Sequence, residues 1–350
     1  MKRTLAVGLA TALLLGAAAC GSGSDDGGGD ATSLTLADIG GATTERKKEA
    51  FFDPFEQESG IQTRGVAYTN IASQVKSMVD SGKYAWDIVH AGADEAFEHC
   101  GTLFEKVDYS ELGDVYPEGT TTECSVPGGK YAFEFVYDTE VYKGTVPTQI
   151  EDFFDTEKFP GKRAVRSNNV RGPLEIALLA DGVASDDLYP LDVDRALKKL
   201  DTIKEDLIFV PTWAAMVQQL TNKQATMAFG HDGTLAGAFE AGATIAPVFD
   251  VNVWDFDSYI IPKGNPNKKE AVEAIKFFMQ KEQLINFANL GDNPSVRTDI
   301  DPSELKLSKG MTAVSPFGGA DRGELVHLDT EYWSENQTAV AERYVKWQAS

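Results

Sequence analysis

From residue 34 onward the chain moves between two rhythms. Short runs carry apolar residues at every second position, and longer stretches carry them every three or four, the periods of strands and of amphipathic helices. LTLADI predicts the first strand. Gly40 and Gly41 follow, then a helix capped at Thr43 or Thr44, with Ala50, Phe51 and Phe55 on one face and Gly60 at its end. IQTRGVA is the next strand. Asn70 then caps a helix whose apolar stripe is Ile71, Val75, Met78 and Val79 and which stops at Gly82, and AWDIVHA follows. Strand, helix, strand, helix, strand with short links predicts a parallel α/β unit.

The middle of the chain is less regular until GKYAFEFVYDTEVY, which alternates as a strand with Glu134 at its apolar centre. A second α/β unit is predicted after it. Its parts are a strand at 163–167, a helix with Pro173 in its first turn, a helix marked by Ala196, Leu197, Leu200 and Ile203, and the strand LIFVP. TWAAMVQQL, ATMAFG and DGTLAGAFEAG then read as helix, strand and helix. VNVWDFDSYIIP returns as a strand, NKKEAVEAIKFFMQ is a helix, and a last helix carries Trp333, Val340, Tyr344 and Trp347 on the face that docks it.

Ahead of these elements, Lys2 and Arg3 precede residues 5–19, an uninterrupted apolar and small-residue run that leads into Cys20. This is the plan of a secretory signal, residues 1–20, and the run falls short of the roughly 20 residues of a membrane span. Residues 21–33 are a Gly/Ser/Asp stretch with nothing to bury and read as a flexible tether. The 330 residues after Cys20 exceed what one core usually fills, so two lobes are expected. A net charge of −22 argues against nucleic acid, whose phosphates are held through Lys and Arg. With Cys20 set aside, Cys100 and Cys124 are an even pair in an oxidising setting. A bridge between them would close a loop of about 25 residues and stabilise by roughly 3–4 kcal/mol. Two free thiols, or a metal site with His99, are the alternatives.

Catalytic motifs are absent: there is no G-x-S-x-G elbow, no H-E-x-x-H, and no phosphate-binding glycine loop in a strand-to-helix context. No enzyme activity and no cofactor are therefore expected. A two-lobe α/β protein working outside the cytoplasm suits a receptor that closes on a small molecule. Open parallel sheets bind outside the carboxyl ends of their strands. That rule selects Gly40-Gly41-Ala42, Ala91-Gly92 and Gly230-His231-Asp232.

The GAAAC ending of the leader resembles the lipobox of bacterial lipoproteins, which implies lipidation of Cys20 and anchoring to the cell membrane. ADIGGATTERKKEAFFDPFEQESGI, EIALLADGVASDDLYPLDVDRALKKLD, ATMAFGHDG and DFDSYIIPKGNPNKKEAVEAIKFF resemble extracellular solute-binding proteins of the spermidine/putrescine type, in order along nearly all of the mature chain. The resemblance implies a two-lobe periplasmic-binding-protein fold of class II, with the ligand cleft between lobes joined by hinge strands near 133–136 and 250–254. It implies one lobe at 34–135 plus 252–300 and the other at 136–251 plus 301–350. It also implies a Cys100–Cys124 bridge, a monomer, and delivery of solute to an ABC permease.

The same resemblance makes Asp257, in DSYIIP, the amine-binding aspartate, with Trp254 and Trp213 covering the alkyl part of the solute and Asp232 or Glu134 as a second acid. An acid inside an apolar strand wants a partner, and for Glu134 that partner is a ligand ammonium, Arg163 or Arg166. His231 and Asp232 stand where the family has W-N-G, and the first-lobe loop is GGAT, so Gly41, Ala91, Gly92 and His231 complete the expected cleft. Arg171 and Arg297 are candidates for a ligand carboxylate, which suits an ω-amino acid better than a polyamine. Alternation along VNVWDFDSYI places Trp254 and Phe256 on one face and Asp255, Asp257 and Tyr259 on the other, so one set alone faces a cleft. The expectation is a receptor for a small amine-bearing solute, polyamine or amino-acid-like. A metal-chelate receptor on the same fold, hinted at by His231-Asp232, and a secreted enzyme are the rival readings.

Overall fold

The computed structural model describes residues 32–167, 169–319 and 322–350. The leader, Cys20 and nearly all of the tether lie outside the described residues. Among the described residues there are ten strands: β1 Ser33–Asp38, β2 Gln62–Ala67, β3 Ile88–Gly92, β4 Ser125–Asp138, β5 Arg163–Arg166, β6 Leu207–Val210, β7 Met227–His231, β8 Ile245–Pro247, β9 Val251–Ile260 and β10 Glu324–His327. They run in the order β2-β1-β3-β9-β4-β7-β5-β6, with β10 beside β9 and β8 beside β4. The predicted parallel units are there: β1 pairs β2 and β3 in parallel, and β5 pairs β6 and β7 in parallel.

Two long strands join the units. β9 lies antiparallel to β3 and to β4, and β4 continues past it to lie antiparallel to β7. Each side of this crossing has its own cores. On one side the helices over 42–59 and Lys268–Phe278 bury Phe51, Phe52, Phe55 and Phe278 against Leu34, Leu36 and Tyr259. On the other, Phe135, Phe153, Leu174 and Leu178 pack with Trp333 and Tyr344 of the terminal helix Thr330–Ala349. The arrangement is a two-lobe α/β fold.

Local signals explain most element ends. Asn70 accepts from the Ser73 N–H to open Ile71–Ser81, and Gly82 closes that helix at φ 64°. The first helix begins two or three residues earlier than a cap at Thr43 or Thr44 would place it, at Ala42 behind Gly41. Thr44 is drawn elsewhere, its hydroxyl donating to Asp38 at 2.6 Å. That helix widens into a π-helical stretch over Lys48–Phe52, which turns both Phe51 and Phe52 inward and leaves Lys47 fully buried. Cys100 and Cys124 form a disulfide across 24 residues.

Candidate ligand-binding site

Residues at or just past the carboxyl ends of six strands converge on one cleft of about 470 Å3: Ile39 after β1, Tyr68 after β2, His90 of β3, Arg166 of β5, Trp213 after β6 and His231 of β7. Tyr131, Phe133 and Asp257 from the crossing strands form its floor, and Asp292, Asn293, Ser308 and Met311 its far wall. A larger groove of about 730 Å3 runs along the loop 106–126 on one lobe, but it gathers none of the sequence-predicted ligand residues.

Asp257 reaches the cleft because of what lies opposite it. β4 bulges between Pro127 and Lys130, where β9 presents Asp257, and bulges of this kind re-aim a side chain. Gly128 makes the bulge possible, since a Cβ there would come within 2.7 Å of the Tyr259 ring. The Asp257 side chain keeps 26% of its surface open, and its Oδ2 lies 3.8 Å from His90 Nε2. Burial pushes its carboxyl up to about 7; Lys47 pulls it down, while Asp255 and Asp292 add to the rise. Tyr259, two residues on, is buried.

The face rule along β9 decides between the two halves of the predicted pair. Trp254 and Phe256 lie on the other face, with the His327 ring 4.4 and 5.7 Å from theirs. Trp254 therefore packs with Ala93, Phe256 and Val296 rather than lining the cleft. Trp213 does line it, held at the start of its helix by the Thr212 cap.

The remaining predicted residues divide the same way. The His231 imidazole stacks on Tyr131, ring centroids 4.7 Å apart, and meets Phe133 edge-on at 6.0 Å. Burial lowers its pKa to about 4, so at neutral pH it is an uncharged aromatic plate. Its neighbour Asp232 points away, fully buried, accepting from the Ser315 hydroxyl at 2.9 Å and from the Gly233 N–H. Glu134 is also fully buried and outside the cleft, and its carboxylate oxygens have no hydrogen-bond partner among the described residues. Burial, and Asp232 beside it, push its pKa well up. Arg163, one expected partner, instead donates to the carbonyls of Phe153, Asp155, Phe159 and Gly161.

Arg171 lines the cleft but is already engaged. It bridges Asp94 at 2.8 Å and Asp255 at 3.1 Å, and donates to the Tyr131 hydroxyl. Arg297 is paired with Asp299 outside the cleft. Gly41 caps the first helix while Ile39 and Thr43, on either side of it, reach the cleft. Ala91 is buried in the β3–β9 ladder opposite Ser258. Gly92 lets Arg171 and Asp94 meet, since a Cβ there would fall 2.5 Å from Asp94 Oδ1 and 3.4 Å from Arg171 Nη2.

The sequence reading passed over Tyr68, His90, Tyr131 and Asp292, and it weighed Arg166 only as a partner for Glu134. In the structure the Arg166 guanidinium lies 4.7 Å over the Trp213 ring, inside the cleft. Position was the available signal: Tyr68 and Arg166 stand at the carboxyl end of a strand, and His90 lies two residues before the end of β3. Among the described residues no group of three or more His, Cys, Asp or Glu is placed to hold a metal ion.

The arrangement is one of opposite charges set in an aromatic frame, able to hold a small polar solute by both ends. Residues 50–312 match the family model described as bacterial extracellular solute-binding protein. The γ-aminobutyric acid (GABA)-binding protein of Pseudomonas aeruginosa is 31% identical over 326 residues, 91% of each chain. A solved GABA receptor structure superposes with a TM-score of 0.79 at 30% identity, covering 91% of this chain and 98% of that one. The PBP AgtB from A. tumefaciens, solved with agropinic acid, gives 0.75 at 26% identity over 91% and 99%. With three quarters of its length matched to the family model, this chain belongs to the bacterial extracellular solute-binding proteins, the receptors that capture small solutes for ABC importers.

Proposed function

We propose that this receptor captures a small zwitterionic ω-amino acid of the GABA type and delivers it to its permease. One observation carries the reading: a carboxylate, Asp257, and a guanidinium, Arg166, face the same cleft with aromatic side chains around them. Asp257 receives the ammonium group. Arg166, stacked on Trp213 at the cleft, receives the carboxylate. Tyr131, Phe133, Trp213 and the uncharged His231 enclose the methylenes, and desolvated ammonium–aromatic contacts contribute roughly 0.5–2 kcal/mol each. The GABA-binding relatives support the choice of ligand.

Isothermal titration of residues 21–350 with GABA, putrescine and spermidine tests it. GABA binding in the micromolar range or tighter, lost in Asp257→Asn and in Arg166→Gln, is the expected result. Putrescine binding that survives Arg166→Gln would sink the zwitterion reading. It would favour a diamine held between Asp257 and Glu240, another carboxylate that lines the cleft.

The proposed lobe division, 34–135 plus 252–300 and 136–251 plus 301–350, is supported by packing. The helix Lys268–Phe278 shares a core with Phe51 and Phe55, and Met311 and Val314 share one with Leu235 and Ala236. The proposed lipid anchor at Cys20 rests on the leader sequence, and Cys20→Ser should release the protein from the cell into the medium.

A further inference from the structure

Beneath the amine end of the cleft lies a chain of buried polar contacts that binding itself does not require. Lys47 is fully buried, as is its partner Asp38. Its ammonium donates to Asp38 Oδ2 at 3.0 Å and contacts His90 Nδ1 at 2.9 Å, with the Tyr259 ring 5.9 Å away. The far nitrogen of the same imidazole, Nε2, is the atom 3.8 Å from Asp257 Oδ2.

We propose that Lys47 is the positioning residue of the amine subsite: by donating to His90 Nδ1 it fixes the imidazole as the Nε2–H tautomer, which turns an N–H towards Asp257 and keeps that aspartate a carboxylate for the ligand's ammonium. The proposal rests on the reading of Asp257 given above. An ammonium has donors only, so the nitrogen facing it must accept, and the single proton of a neutral imidazole is left on the other nitrogen. Protonation of His90 is opposed from both directions, by burial and by the Lys47 charge. Burial lowers the Lys47 pKa, and Asp38, which holds Lys47 in place, offsets that in part. The other titratable groups that face this chain are Tyr68, Asp255, Tyr259, Asp292 and Arg171. Of these, Asp255 and Asp292 oppose the ionisation of Asp257, whereas Lys47 and, more weakly, Arg171 favour it.

Two measurements test the assignment. Nitrogen-15 NMR of ligand-free wild type should show the His90 proton on Nε2, with Nδ1 unprotonated; a proton on Nδ1 overturns the proposal. GABA affinity is then measured from pH 5.5 to 9 in wild type, Lys47→Met, His90→Gln and His90→Phe. Wild type should plateau above pH 7 and weaken about tenfold per unit below it, as the proton competes with the ammonium. In Lys47→Met the midpoint should move up by about one unit, a loss of about fivefold at pH 7 that approaches tenfold at lower pH and closes towards pH 9. His90→Gln, whose amide N–H replaces Nε2–H, should keep most of the affinity, and His90→Phe should behave as Lys47→Met. A loss in Lys47→Met that is equal at every pH means a structural role and overturns the proposal. If GABA fails to bind the wild type, the proposed function fails, while the tautomer of His90 in ligand-free protein still decides the role of Lys47.

Discussion

Asp257 is aimed by the bulge at Gly128 on the neighbouring strand, and its charge is set by its burial and by Lys47 nearby. Replacing it with asparagine removes a charge-assisted bond of about 1.5–3 kcal/mol, so GABA affinity should fall roughly 10- to 100-fold by calorimetry. The two tryptophans separate binding from packing. Trp213→Ala should weaken GABA about 2- to 30-fold through lost stacking with the urea midpoint little changed. Trp254→Ala should leave affinity within about threefold and cost roughly 2–3 kcal/mol of stability, because it empties the space beside His327 and Phe317. Alternation along β9 contained this distinction, since a strand cannot send both 254 and 257 to one side. Lys47 was legible too: it stands four and eight residues before Phe51 and Phe55, on the face already identified as buried. A lysine on an apolar stripe asks for a partner. What the chain order could not reveal was the company each arginine keeps, because Asp94, Arg171 and Asp255 meet only through tertiary structure.

At the scale of elements, most of the fold is local chemistry made visible. Asn70 and Gly82 bracket their helix, and Thr212 and Asp329 cap theirs. The short strands β8 and β10 were not legible, being three and four residues long and defined by the partner they lie against. The π-helical stretch after Lys47 also had no sequence signal beyond two adjacent phenylalanines that both proved to be buried. The Cys100–Cys124 bridge closes a loop that carries little regular structure of its own. Its removal in a double Cys→Ser variant should cost roughly 3–4 kcal/mol, seen as a lower urea midpoint. Since the loop lines none of the cleft, GABA affinity under native conditions should stay within about twofold.

For the molecule as a whole, the two lobes share one continuous sheet through β4 and β9. Glu134 sits on that shared strand without a hydrogen-bond partner among the described residues and with its pKa pushed well up by burial. The folded state therefore holds its proton at pH values where the unfolded chain has released it. Stability should fall as pH rises above about 4.5, the ordinary glutamate value. Glu134→Gln removes that dependence, so its melting temperature should exceed wild type at pH 8 and not at pH 4. The Arg171 clamp has a different reach. It ties the segment before Pro173 to Asp94 on the helix after β3 and to Asp255 on β9, and so links both sides of the crossing through one guanidinium. Asp257, too, belongs to a strand that crosses from lobe to lobe, and this has a mechanical consequence. In a pair of jaws, points near the pivot travel least and points at the tips travel most. A carboxylate mounted on the axle is presented in the same place whether the jaws are apart or together. On the proposed binding mode the first contact would thus be a fixed post, and the Arg166 guanidinium and Trp213 indole, in the proposed second lobe, would be the parts that swing to meet the other end of the cargo.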